Sequence, residues 1–212
     1  MWCPYTDREI EESESSPEHI IPLALGGTDQ LTIPVNKAAN ATIGSEVDGE
    51  LAKDPLILWA RREFNAVGHS GKAPEVTFKR ATFQDLPVQV TFLGGNRVPL
   101  VWDLRSREYV SPEKVAGETL HVQMRFNFLI RLRFVAKVVL SAGYYIFGDY
   151  FKNYVSHADT RRMMYASNVE EFKAIKSDNP TLYYDTFTPV KDEDRVLICH
   201  YLHCVTVLEA HW

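Results

Sequence analysis

The chain has 212 residues, 45% of them hydrophobic and 24% charged, with a net charge of −5. That balance is ordinary for a globular protein of one large domain or two small ones. No apolar run reaches membrane length, no secretory leader pattern opens the chain, and three cysteines (Cys3, Cys199, Cys204) make no disulfide framework, so a cytoplasmic protein is expected.

The first stretch, residues 7–16, is acidic and serine-rich and reads as an exposed loop. Glu18-His19-Ile20-Ile21-Pro22 follows, a carboxylate beside a histidine before a short apolar run and a proline. Residues 18–21 are expected to form a strand that Pro22 and the Gly26-Gly27 turn bend away. Residues 28–34 turn and return as a second strand. A helix is expected over residues 36–53, with Asn36 as its N-cap. Asn36 and Asn40 are four apart and share a helix face. Gly44-Ser45 and Val47-Asp48 follow.

Glu18-His19-Ile20-Ile21-Pro22, Leu25-Gly26-Gly27, Asn40, Gly44-Ser45 and Val47-Asp48 together resemble the HNH, or ββα-metal, nuclease finger. The resemblance implies that His19 is a general base and that Glu18 and Asn40 hold one Mg²⁺ or Mn²⁺. Asn36 and Asp48 would support the finger. A neutral imidazole can take a proton from water near pH 7, and a hard divalent ion can neutralise the phosphate. Many HNH proteins also carry two C-x-x-C pairs that hold a structural zinc. Here Thr6, Asn36 and Ala39 fill three of those four positions and leave only Cys3. One thiol cannot build a closed zinc site, so no structural zinc is expected. The middle Asn of many HNH fingers is also absent near Leu31, beside Asp29 and Gln30.

Asp54-Pro55 opens a further helix, with Asp as cap and Pro at its first position. Arg61 and Arg62 on it are candidate phosphate contacts, as are Lys79 and Arg80 on a later strand, with His69 in the loop between. Residues 75–110 alternate with period two and read as an antiparallel sheet, with a hairpin turn at Gly94-Gly95-Asn96. Ser111-Pro112-Glu113 suggests a short helical turn. Residues 120–154 are the most apolar stretch and read as a long buried helix broken near Gly143 or Gly148. Its arginines are expected to add to a basic surface. Ala136-Lys137-Val138-Val139-Leu140 is similar to the helix found after the finger in related HNH proteins. The tail, with Thr181–Tyr184 and residues 195–209, reads as strand. Cys199, His200, His203 and Cys204 alternate faces there, which argues against one metal cluster.

Charge is unevenly spread: residues 1–60 carry −8, residues 61–162 carry +7 and residues 163–212 carry −4. An acidic metal-bearing head beside a basic phosphate track would look like this, and so would two halves that attract each other. The expected architecture is α+β. A finger with its following helix spans residues 1–65, and a β-rich module with a long central helix spans residues 66–212. The expected function is metal-dependent cleavage of nucleic-acid phosphodiesters, DNA ahead of RNA. HNH nucleases commonly serve in restriction or phage defence. Backbone contacts carry no sequence information, so weak sequence preference or a partner that supplies specificity is expected, with a homo-oligomer as the other candidate assembly. Two other readings stay open: a finger that binds nucleic acid without cutting it, and an interaction protein that uses the β-rich module.

Overall fold

The computed structural model describes residues 1–68, 71–72, 74–93, 97–125 and 127–175, and the backbone of residues 205–211. Helices and antiparallel strands both contribute, which makes the protein α+β. Two compact units emerge. One joins Met1–Ala52 to Asn127–Leu202, and the other joins Lys53–Phe126 to His203–Trp212. The division expected after residue 65 therefore needs correction. The long helix belongs with the finger, and the helix after Asp54 belongs with the sheet.

The first unit opens with a short ribbon, β1 (Trp2–Cys3) against β2 (Arg8–Glu9). A hairpin follows, in which β3 (Ser15–His19) pairs antiparallel with β4 (Thr32–Asn36). The turn between its strands depends on two glycines. Gly26 takes φ 89°, a left-handed backbone that favours glycine. At Gly27 a Cβ would lie 1.7 Å from the carbonyl oxygen of Ile21. The Leu-Gly-Gly pattern is thus a steric requirement of the fold.

α1 (Lys37–Ile43) leaves β4 directly, and the Asn36 side chain accepts hydrogen bonds from the Ala38 and Ala39 N–H groups at 3.1 and 3.2 Å. Asn36 is the N-cap that its position suggested. The helix then widens into a π turn over Gly44–Asp48 before α2 (Gly49–Leu51). A wide turn of this kind shifts the register of every later side chain. Here Val47 is buried in the core and Asp48 is mostly buried.

α5 (Phe128–Phe147) is the long helix, capped by the Asn127 side chain, which accepts from the Ile130 N–H. It ends at Gly148, with φ 51°, one of the two breaks expected. α6 (Asp149–Tyr154), α7 (Ala158–Tyr165) and α8 (Val169–Ala174) follow. Ile130, Arg133, Ala136, Lys137, Leu140 and Ser141 form the buried stripe of α5 at helical spacing. The stripe packs into a core that includes Tyr5, Val35, Ile43, Val47 and Met163. Arg131 and Arg133 are buried and add nothing to a basic surface, whereas Arg125, on the strand before the helix, is exposed. Arg133 donates to the Met164 carbonyl at 2.8 Å and to Glu46 at 3.0 Å.

In the second unit, α3 (Pro55–Glu63) is capped by Asp54, whose carboxylate accepts from the Leu56 and Ile57 N–H groups. The sheet has the order β10-β9-β5-β6-β7-β8, all antiparallel. Its strands are β5 (Val76–Phe83), β6 (Leu86–Phe92), β7 (Leu100–Asp103), β8 (Glu108–Tyr109), β9 (Thr119–Arg125) and β10 (Val205–His211). A short helix, α4 (Pro112–Val115), precedes β9. Gln84 and Asp85, both at positive φ, turn β5 into β6 as a tight two-residue hairpin. Phe78, Phe83, Val90, Phe92 and Val122 fill the inner face, and the Trp59 ring of α3 meets Phe92 edge-on at 4.8 Å. The helix expected from residue 120 is a strand over Thr119–Arg125, with Leu120, Val122 and Met124 buried at alternate positions. The Gly94-Gly95-Asn96 turn, His69, Thr181–Tyr184 and Cys199–Cys204 lie outside the described residues. Among the described residues no helix is long and apolar enough to cross a membrane.

The two glycines of the β3–β4 turn should tolerate substitution differently. Gly26→Ala is expected to cost about 1–2 kcal/mol, the penalty for a side chain in left-handed backbone. Gly27→Ala meets a backbone oxygen and should cost clearly more. Urea denaturation midpoints of the two variants check this, and equal losses would refute the steric account.

Candidate functional site

Successive residues on β3 point to opposite faces. Glu18 is 5% exposed and faces inward, while the His19 side chain is 27% exposed. Glu18 meets the Lys137 ammonium of α5, whose Nζ lies 2.6 Å from Glu18 Oε1. Lys137 is fully buried. Its Nζ also donates to Asp48 Oδ2 at 3.1 Å, the His19 carbonyl at 2.7 Å and the Ile20 carbonyl at 3.4 Å. The Tyr5 hydroxyl donates to Glu18 Oε1 at 3.3 Å, and the Ser141 hydroxyl donates to the Lys137 carbonyl at 2.7 Å.

A buried ammonium is costly unless oxygens surround it, and here four do. Two carboxylates share the one lysine, so the cluster carries an excess negative charge. Burial pushes the Asp48 carboxyl up to about 6, the nearby Glu18 charge adds to the rise, and Lys137 opposes it. Asp48 Oδ1 is buried without a hydrogen bond. The Tyr5 hydroxyl is held well above its usual range by burial and by the charges of Glu18 and Asp48.

His19 belongs to a different environment. Its Nε2 lies 2.8 Å from Asp29 Oδ1, on the outer side of the hairpin. An ionised carboxylate there accepts from Nε2–H and leaves Nδ1 as the basic nitrogen. Asn40 donates its amide N–H groups to Ser16 Oγ at 2.9 Å and to the Pro17 carbonyl at 3.1 Å. It braces α1 against β3.

The residues expected around one divalent ion are therefore occupied separately. The Glu18 charge is matched by Lys137, while the Asn40 hydrogen bonds use its amide nitrogen and not the oxygen that a metal would take. Mg²⁺ takes several oxygen ligands in near-octahedral geometry. Among the described residues no group of three or more His, Cys, Asp and Glu side chains could hold a metal ion. This arrangement does not fit a preformed Mg²⁺ or Mn²⁺ site, and Asp48 lines the lysine cage. Where a zinc knuckle would stand, the Cys3 sulfur accepts a hydrogen bond from the Asn36 N–H at 3.3 Å.

The expected phosphate contacts also divide. Arg62 is buried, donates to the Leu93 carbonyl at 2.6 Å and lies over the Trp59 ring at 5.4 Å, so it packs within the second unit. Arg61 is half-buried, and burial lowers its pKa. Lys79 and Arg80 are exposed on β5. The residues that sequence reasoning missed are Lys137, Asp29 and Tyr5. Lys137 carried a signal: a charge on the buried stripe of an apolar helix requires acidic partners from another element. Comparison with family models, curated proteins and solved structures finds no match to this chain.

Replacing Lys137 with Met should destabilise the protein by about 3–5 kcal/mol, because two buried carboxylates lose their cation. Denaturant titration tests this, and a loss below about 1 kcal/mol would contradict the burial argument. Asp48 gives a pH signature. Its folded pKa of about 6 stands above the ordinary carboxyl value of 3.8, so the folded state holds that proton longer. The associated stabilisation is complete below pH 4 and is lost as pH rises through 6. Across that window the wild type should lose stability relative to Asp48→Asn, by about 3 kcal/mol at most. Melting curves of the two proteins from pH 4 to 7 measure the difference.

Proposed function

We propose that the chain is a nucleic-acid phosphodiester hydrolase of the HNH type, with His19 as general base and DNA ahead of RNA as substrate. The carrying observation is the imidazole itself: it stands at the end of the first strand of a β–β–α element and is held by Asp29. Asp29 fixes the tautomer and balances the charge when a water proton arrives at Nδ1. A cytoplasmic, reducing setting goes with this reading, supported by Cys3 as a buried free thiol.

The resemblance implies Mg²⁺ or Mn²⁺, yet the hold of Lys137 on Glu18 opposes a preformed site, so no step is drawn through a metal. That same ion pair favours a second reading, in which the finger binds nucleic acid without cutting it.

Plasmid nicking with Mg²⁺, with Mn²⁺ and with chelator separates the two. Under the first reading His19→Ala should lower nicking about 10²–10⁴-fold, the span of general-base contributions, and should retain binding. Asp29→Asn should lower it less, through loss of the oriented tautomer. A wild-type protein that binds but never nicks establishes the second reading. An absence of salt-sensitive binding removes both and leaves the protein-interaction reading.

A further inference from the structure

The outer face of the sheet in the second unit carries an ordered row of side chains that the hairpin chemistry does not use. Its origin is a bulge in β5. Phe78 pairs with Val90 and Ala81 pairs with Val88, so Lys79 and Arg80 together stand opposite Gln89. A bulge of this kind breaks the in–out alternation and re-aims side chains. Both residues are exposed here, although neighbours on a regular strand would alternate. Pairing of β5 with β9 runs from Phe83 only to Ala81, opposite Val122. Beyond that point the strands part around a cavity of about 290 Å³, lined by Lys79, Arg80, Gln123, Met124 and Arg125.

The cavity is strongly cationic. Lys79, Arg80 and Arg125 form no ion pair with any described residue, and no acidic residue stands in the outer register of β5, β6 or β9. Three cations that pair with no described residue, gathered around one opening, call for an anionic occupant of about phosphate size.

The same row continues into aromatics. Gln89 pairs with Trp102, and Trp102 pairs with Tyr109. These rings meet edge-to-face at 4.8 Å, and Tyr109 is 64% exposed. From β8 to β5 the row spans three strand gaps, about 14 Å. It runs from aromatic rings through an amide to a cation pocket. Bases of a duplex are already stacked and paired, whereas an unpaired base can stack on an exposed ring.

We infer that this face binds single-stranded nucleic acid, with a backbone phosphate in the Lys79–Arg80–Arg125 pocket and an unpaired base on Trp102 and Tyr109. The inference rests on nucleic acid being the ligand of the chain, and it is independent of whether His19 cuts. It names the substrate class as unpaired strand, DNA or RNA.

Fluorescence anisotropy of the full chain with a labelled mixed-sequence single-stranded 20-mer tests it, in DNA and RNA versions. Binding should weaken with salt. The triple variant Lys79→Gln/Arg80→Gln/Arg125→Gln should bind about tenfold or more weakly, and its log–log salt slope should be shallower by about 0.7, the share of the one phosphate in the pocket. Trp102→Ala should lose about tenfold and keep its salt slope. Trp102→Leu, which keeps apolar bulk without a ring, serves if the alanine variant does not fold. The matching duplex should bind more weakly and ignore the Trp102 change. Unchanged affinity in the folded triple variant would overturn the inference. So would duplex affinity equal to that of the single strand. If the chain binds the oligonucleotide and nicks nothing, the catalytic reading falls and this one stands. If it nicks, and the triple variant binds and nicks as well as the parent, this one falls alone.

Discussion

A single ammonium group sets the geometry of the N-terminal unit. Lys137 Nζ gathers the side chains of Glu18 and Asp48 and the carbonyls of His19 and Ile20. Those oxygens come from β3, from the chain just after it and from the π turn behind α1. Three segments far apart in sequence are therefore held by one charge. Away from water each partner would be unstable alone, so the cluster forms together or not at all. This explains why α5 joins the N-terminal hairpin although Lys53–Phe126 of a different unit intervene.

The cage also shows how the N-terminal unit is fastened. A zinc ion fastens a chain by drawing ligands from separate elements to one point. Here the Cys3 sulfur, buried beside Trp2 and Tyr5, takes the Asn36 N–H, and Tyr5 reaches Glu18. A hydrogen bond, a packed aromatic core and an internal cation do the fastening. The arrangement has a chemical consequence as well. A carboxylate committed to an ammonium is a poor partner for a second cation, while the imidazole on the opposite side of the strand is left accessible. The buried carboxylate and the accessible imidazole occupy adjacent residues but separate faces.

Local features were legible in the sequence. The hairpin before a helix, the caps at Asn36 and Asp54, the break at Gly148 and the alternation of β5 and β6 each depend on neighbours within a few residues. Strand β9 was hidden because its apolar positions run without a gap into those of α5, and the period changes from two to about four inside one apolar stretch. The destination of Glu18 could not be read from the motif. A Glu-His pair looks the same whether its carboxylate faces an ion or a lysine more than a hundred residues away. Arg62 shows the same limit, since a helix arginine that stacks on Trp59 has no local mark to separate it from a solvated one.

Charge shows most clearly how the two roles of the middle segment separate. Its excess of cations could have meant a nucleic-acid track or attraction to the acidic head, and the structure contains residues suited to each. Arg133 meets Glu46, Lys137 meets Glu18 and Asp48, Lys152 meets Glu9, and Arg161 meets Asp7. These cations from α5, α6 and α7 neutralise the head that packs with them. Among the described residues, Lys79, Arg80 and Arg125 on the sheet have no such partners. A fold that needed cations only to balance its own acids would gain nothing by gathering three of them around an opening, where they repel one another. A β-bulge that turns two consecutive basic residues outward maintains that repulsion in the folded state. An anionic ligand on the sheet face would relieve it.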